Sequence, residues 1–233
     1  MPYFLDDYDD IRSAIPSYLH GEQASLLMYI MSSQTESGLE GNLMEIGVAT
    51  GHFLALMQRF RQPSEKVIRI DPFYIETTSR ELVQENLLRT GASDGVEVRK
   101  SRSDAIPIET YQQDWSPIRF CHVDGSHQAK DVVNDISICD RSVSHGGLIV
   151  LDDFMNPGFP GVAEGFFRYF IENEREVSLV PVGFCRGKLL LSFREYSEWY
   201  MCSIPDDHIA PRRSALFMAR WVVTEARDGR ATC

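Results

Sequence analysis

From residue 43 onward the chain alternates short apolar runs with amphipathic stretches, a rhythm few folds accommodate. LMEIGV (43–48) predicts a strand and HFLALMQRF (52–60) a helix, its apolar residues at helical spacing. VIRID (67–71) predicts a second strand. The helix SRELVQENLLRTG (79–91) follows and closes on a glycine C-cap. VEVRKS (96–101) and IRFCHVD (118–124) predict strands three and four, KDVVNDISICDRSV (130–143) a helix and GLIVLDD (147–153) strand five. AEGFFRYFIENE (163–174) reads as a helix, and VSLVPV (177–182) and KLLLSF (188–193) as the last two strands. Only GFCRG separates these two, too short for a parallel crossover, so they predict an antiparallel hairpin.

Strand–helix alternation ending in a hairpin implies an α/β fold. It is a doubly wound, mostly parallel seven-stranded sheet with a C-terminal antiparallel hairpin and helices on both faces. The chain reads as one domain, with a Rossmann-like core over 37–200. Residues 1–36 carry a helical segment (EQASLLMYIMSS), and 201–233 read as a helical extension through SALFMARWVVTEA. These flanks suit a lid or a homo-oligomer contact.

Charge and cysteine usage narrow the function. Lysine and arginine number 23 against 34 aspartates and glutamates, a net charge of −11 that disfavours a nucleic-acid partner. No stretch approaches the roughly 18 apolar residues of a membrane span, so no membrane partner is expected. The acidic start MPYFLDDYDDIRSAIP lacks the form of a signal peptide, which makes a cytoplasmic location the expectation. Cys121, Cys139, Cys185, Cys202 and Cys233 are scattered without a C-x-x-C pair, as befits reduced structural thiols.

In LMEIGVATGHF the first strand runs into Gly47, then Gly51, then a helix. Glycine lets backbone approach an extended ligand, and the helix N-terminus offers free N–H groups to an anion. G-x-G-x-x-G is absent, and alone the spacing fits an ordinary tight turn equally well. Two further acids follow in order. Asp71 ends the second strand, 20 residues after Gly51, where an acid can bond a ribose; Asp104, in SRSDAI, follows the third, where it can meet an adenine amino group. With Glu45, they suit an adenosine carrying a charged amino acid. On these motifs the chain resembles the class I S-adenosylmethionine-dependent methyltransferases. The resemblance implies that Gly47 and Gly51 border the methionine part of S-adenosylmethionine. It places Glu45 near the amino group, Asp71 on the ribose and Asp104 near the adenine. His52 begins the helix where that family often has a small hydroxyl residue, and Ala49 replaces its middle glycine.

The fourth strand ends in HVDGSH, with Asp124 and, three residues on, His127; the fifth ends in Asp152 and Asp153. Strands often end in solvated, aspartate-rich turns. Adjacent fourth and fifth strands, however, would set Asp124 beside Asp152 at the carboxyl edge, where such sheets bind ligands. Carboxylates converging there are costly without a cation, and a magnesium-like ion resolves the conflict. Asp153 joins them only if the chain turns there, and MNPGFPG supplies the turn. His127 then suits a general base toward a hydroxyl acceptor. D-x-x-H followed by GGLIVLDD resembles the metal-dependent O-methyltransferases of macrolide and related natural-product sugars. That resemblance implies Asp124, Asp152 and Asp153 as metal ligands, Mg²⁺ as the metal and His127, beside Asp124, as the base. It implies a small-molecule hydroxyl acceptor, first a sugar of a natural product. Alternatives are a catechol acceptor, a hydroxylase-like relative, or a non-catalytic binder on the same fold.

Other residues carry weaker expectations. His122 reads as a core or near-core histidine, Trp115 as a surface loop anchor, and FFRYF (166–170) as core or an oligomer contact. His20, His145 and His208 carry no signal. Phe154 and Phe159 flank the aspartates and are candidates to line an acceptor pocket.

Overall fold

Leu43, Met44, Glu45 and Ile46 alternate between the two faces of a sheet, and every neighbouring strand repeats that alternation. The computed structural model describes residues 3–75, 77–173, 177–203, 212–217 and 220–225. Two helices come first, α1 (Tyr3–Ala14) and α2 (Gly21–Glu36). The alternating core then runs β1 (Asn42–Ile46), α3 (His52–Gln58), β2 (Val67–Ile70), α4 (Arg80–Arg89), β3 (Val96–Arg99) and β4 (Ile118–Val123). It continues with α5 (Ala129–Ser142), β5 (Val143–Leu151), α6 (Pro160–Glu172), β6 (Leu179–Cys185), β7 (Lys188–Phe193) and α7 (Ser197–Ser203). Two further strands, β8 (Arg212–Phe217) and β9 (Arg220–Glu225), close the described chain.

The strands lie in the order β3-β2-β1-β4-β5-β7-β6-β9-β8. β3, β2, β1, β4 and β5 are parallel, and β7 runs antiparallel to both β5 and β6. All seven expected strands are present, with the expected hairpin. The order reverses between β1 and β4, so their carboxyl ends open a crevice at the place where such sheets hold ligands.

Leu43, Val67, Phe120, Leu148 and Val150 point to one face and pack against α1, α2, α3 and α4. Met44, Ile68, Ile70, Cys121, Ile149 and Leu151 point to the other and pack against α5 and α6. Strands buried on both faces read as nearly continuous apolar runs, which is why these segments stand out in the sequence. Trp115 is 1% exposed and packs into this second core, edge-on to Tyr111, so it is a core residue and not a surface anchor. Its indole N–H reaches Glu97 at 3.0 Å, which gives its polar edge a partner inside the fold. FFRYF also joins this core through Phe166, Tyr169 and Phe170.

The expected C-terminal helix is not formed. SALFMARWVVTEA instead supplies most of β8 and β9, which pair with each other antiparallel, and β9 extends the sheet beside β6. The run Val222-Val223-Thr224 is β-branched throughout, which favours a pleated strand over a helix, and an open sheet edge was there to be covered. Among the described residues the helix next to this region is α7, which ends at Ser203. The N-terminal segment is helical as expected: α1 packs on α2 and α3, beside the first strand's turn. Cys121, Cys139, Cys185 and Cys202 are free thiols, and Cys233 and His208 lie outside the described residues. Among the described residues no helix is long and apolar enough to cross a membrane.

Candidate active site

After β1 the backbone enters the turn of residues 47–51, with Gly47 at φ +81°, Ala49 at +44° and Gly51 at +85°. A Cβ on Gly47 would stand 2.0 Å from the Asp124 carbonyl oxygen, so only glycine lets the turn close on the end of β4. Asp71 braces the turn from the other side. Its Oδ2 accepts from Val48 N–H at 2.8 Å and its Oδ1 from Phe73 N–H at 2.6 Å.

The residues around this turn are unusually polar for their burial. Glu45 Oε1 lies 3.2 Å from His122 Nδ1, while Oε2 is buried with no hydrogen-bond partner among the described residues. Arg69, the cross-strand neighbour of Glu45, is fully buried with its guanidinium over the Phe73 ring and no aligned acceptor among the described residues. Burial pushes Arg69 down to about 10, against the pull of Glu45 and Asp71, and it raises Glu45 despite His122. His52 opens α3, edge-on to Tyr8 of α1, with neither ring nitrogen hydrogen-bonded among the described residues. Burial, then the nearby Arg12 charge, pushes its pKa down to about 4. Buried polar groups are normally satisfied, so these orphans beside a glycine cradle fit a polar ligand such as S-adenosylmethionine. Asp104 fits less well. Arg102 binds both of its oxygens at 2.8 Å and also reaches Asp131 at 3.0 Å, which holds the Asp104 carboxyl below its ordinary range.

The second half of the site lies where β4 and β5 end. Val123 pairs with Leu151, and Asp152 N–H continues the ladder to the Val123 carbonyl, which sets Asp124 and Asp152 at one edge. Asp153 then takes φ +54°, the turn that brings the second aspartate round. Its N–H donates to Asp152 Oδ1 at 2.8 Å, and Asn156 donates to its Oδ1 at 2.7 Å. His127 Nε2 lies 3.1 Å from Asp153 Oδ2, and Phe159 stacks on the imidazole with centroids 3.8 Å apart. The contact with Asp153 raises the His127 pKa, with partial burial opposing it. Burial, and then Asp152, pushes the Asp124 carboxyl up to about 7.

Asp124, His127 and Asp153 each offer one ligand atom, all within 4.8 Å of one another, as do His122, Asp124 and Asp152. Among the described residues His127 Nε2 has no aligned hydrogen bond, and Asp124 resists ionising alone; both features fit a cation at this edge. The expected ligands Asp124, Asp152 and Asp153 are therefore brought together, but with an added member. Lys188, from β7, is buried, donates to Asp152 Oδ2 and lies 3.2 Å from His122 Nε2. Against the upward pull of burial, His122 and Lys188 hold Asp152 well below the carboxylate range. For His122, burial and Lys188 oppose a proton, and the bonds with Asp152 and Glu45 outweigh them. His122 is near-core as expected, yet it joins the two halves of the site. Phe154 is buried against Phe166, whereas Phe159 is exposed at the site's mouth.

Known proteins share this fold. Residues 44–154 match the family model described as a methyltransferase domain. No curated protein sequence matches the chain. Among solved structures it is similar to the O-methyltransferase NovP, at 16% identity over 76% of this chain and 81% of that one, with a TM-score of 0.65. The O-methyltransferase TomG from Streptomyces achromogenes, involved in tomaymycin synthesis and solved with SAM, is 16% identical over 81% of this chain and 89% of its own, with a TM-score of 0.59. CalS11, a TDP-rhamnose 3'-O-methyltransferase of calicheamicin biosynthesis, is 14% identical over 83% and 96%, also at 0.59. The stretch that carries the glycine turn, Asp71, Asp124, His127 and the aspartate pair thus matches the methyltransferase domain model, and the chain shares the fold of these enzymes.

Proposed function

We propose that the protein is an O-methyltransferase that moves the methyl group of S-adenosylmethionine to a hydroxyl of a small molecule, foremost a sugar of a natural product. One juxtaposition carries the reading: Gly47 is pressed against the Asp124 backbone, so the turn suited to the methyl donor and the edge bearing His127 adjoin. NovP, TomG and CalS11 are O-methyltransferases by description, and CalS11 acts on a nucleotide sugar, which supports the acceptor class.

When bound, S-adenosylmethionine supplies a reactive sulfonium methyl, and a divalent cation supplies positive charge beside the acceptor oxygen. The chain supplies position and proton transfer. Gly47, Gly51, Asp71, Glu45 and His52 form the donor cradle, and Asp124 and Asp153 would hold the cation. His127 would accept the hydroxyl proton as the oxygen–methyl bond forms and the sulfur–methyl bond breaks, its electron pair staying on sulfur. Asp153, 3.1 Å from Nε2, stabilises the imidazolium that forms. Phe159, at the mouth, offers an apolar face to the acceptor.

The test is methyl transfer from labelled S-adenosylmethionine to a panel of glycosides, catechols and simple alcohols, with Mg²⁺ and with chelator. Labelled glycoside, formed faster with Mg²⁺, is the expected product. Preferential labelling of catechols would replace the sugar reading, and no labelled product with any acceptor would contradict the activity.

A further inference from the structure

Lys188 enters the acidic edge from the far hairpin. It is the first residue of β7, and its side chain is only 4% exposed. A buried ammonium without a counter-charge is among the most costly groups a fold can hold. This one has Asp152, whose Oδ2 accepts its hydrogen bond. The same nitrogen lies 3.2 Å from His122 Nε2. At that distance one nitrogen donates and the other accepts, which ties Lys188 to His122 as well as to Asp152. Asp152 Oδ1 meanwhile accepts from Asp153 N–H. Both oxygens of Asp152 are therefore engaged within the protein.

The acidic edge has two halves that share Asp124, one with His122 and Asp152, the other with His127 and Asp153. Lys188 contacts two of the three members of the first half. A second cation drawn to Asp152 must displace this ammonium or sit beside it against like-charge repulsion. We propose that Lys188 is the resident cation of the first half, holding Asp152 as an internal counter-ion. A divalent cation is then held by Asp124 and Asp153, beside His127 and without Asp152. Lys188 is thus a positioning residue: it fixes the charge and orientation of Asp152 and keeps the divalent ion on the side of the candidate base. This inference rests on the reading that the edge takes a divalent cation.

The experiment is a Mn²⁺ titration of the full chain, with free Mn²⁺ followed by electron paramagnetic resonance. It compares the wild type with Asp152→Asn, Asp153→Asn and Lys188→Met. Asp153→Asn should weaken Mn²⁺ binding about tenfold or more. Asp152→Asn, which removes only a neighbouring charge, should change it by no more than about threefold. Lys188→Met should tighten it about tenfold, because a carboxylate is released toward the ion. Asp152→Asn costing as much as Asp153→Asn would overturn the proposal, as would unchanged or weaker binding in Lys188→Met, or no Mn²⁺ binding by any of these proteins. Should Lys188→Met fail to fold, the two aspartate variants still decide it. Calorimetry with S-adenosylhomocysteine is run separately. Its failure would count against the methyltransferase reading, whereas the Mn²⁺ titration needs no cofactor and judges Lys188 alone.

Discussion

Phe159 lies flat on the imidazole of His127, the rings 13° from parallel and 3.8 Å between centroids. Phe159 occupies the N-cap of α6, a position that usually goes to a small polar residue, and makes no side-chain capping bond there. With one ring face against Phe159 and Nε2 toward Asp153, the imidazole is fixed in direction. Stacked pairs of this kind contribute about 0.5–1.5 kcal/mol beyond burial. Phe159→Ala is therefore expected to lower kcat up to about tenfold, and Phe159→Tyr to retain most of it. In a His127→Ala background the same substitution should have little further effect on kcat. An undiminished effect there would show that Phe159 acts on the acceptor alone.

His127→Ala removes the candidate base and leaves the glycine turn untouched. Turnover should fall by about 10² to 10⁴, with S-adenosylhomocysteine affinity close to that of the wild type. Single-turnover methyl transfer and calorimetry measure the two separately. Near-normal turnover would remove His127 from the chemistry.

Asp135, on α5, is 2% exposed and bonded to Ser103 and Asn134. Burial raises its pKa from 3.8 to about 6, more than these bonds lower it. Between those values the folded state holds a proton that the unfolded chain has released. The Asp135 contribution to stability therefore falls as pH rises through that window, by on the order of 3 kcal/mol. Urea unfolding of the wild type and Asp135→Asn, at about pH 4 and about pH 7, should show the variant gaining on the wild type at the higher pH. Equal differences at both would contradict the assignment.

Arg119 is fully buried on β4 and gripped by Glu65 through bonds of 2.8 and 3.0 Å, by Gln34 and by the Phe60 carbonyl. Gln34 reaches on to Tyr200 of α7, so one polar network ties α2, β4 and α7 together. Glu65→Ala would leave the guanidinium uncompensated and should cost about 3–5 kcal/mol of unfolding free energy. A loss below about 1 kcal/mol would mean that the network contributes little beyond packing.

The legible parts of the molecule are those written in local pattern. Apolar runs of four to nine residues mark strands buried on both faces, and glycines and prolines mark where they turn. Asp153 is a clear case: two aspartates at a strand end serve one edge only if the chain bends, and MNPGFPG and the positive φ at Asp153 agree. What escaped depends on register between distant strands. Nothing within KLLLSF itself marks Lys188. Yet Leu189 faces Leu151 across the antiparallel β5–β7 pair, so the next step of that register sets Lys188 against Asp152. The hairpin was legible, and its register held the missing signal. Arg69 and Glu45 are likewise partners across β1 and β2, a pairing no single segment announces. The C-terminal segment was misread because its apolar residues satisfy both helical and strand spacing, and a free sheet edge decided between them.

On the proposed function, the glycine turn and the acids around it hold the methyl donor. The most direct test of that proposal is a calorimetric titration of the purified protein with S-adenosylhomocysteine, in Mg²⁺ and again in chelator, alongside Gly47→Ala. Saturable one-to-one binding in the micromolar range is expected of the wild type, and its loss in Gly47→Ala, whose Cβ would strike the Asp124 carbonyl. No binding by the folded wild-type protein in either buffer would contradict the account.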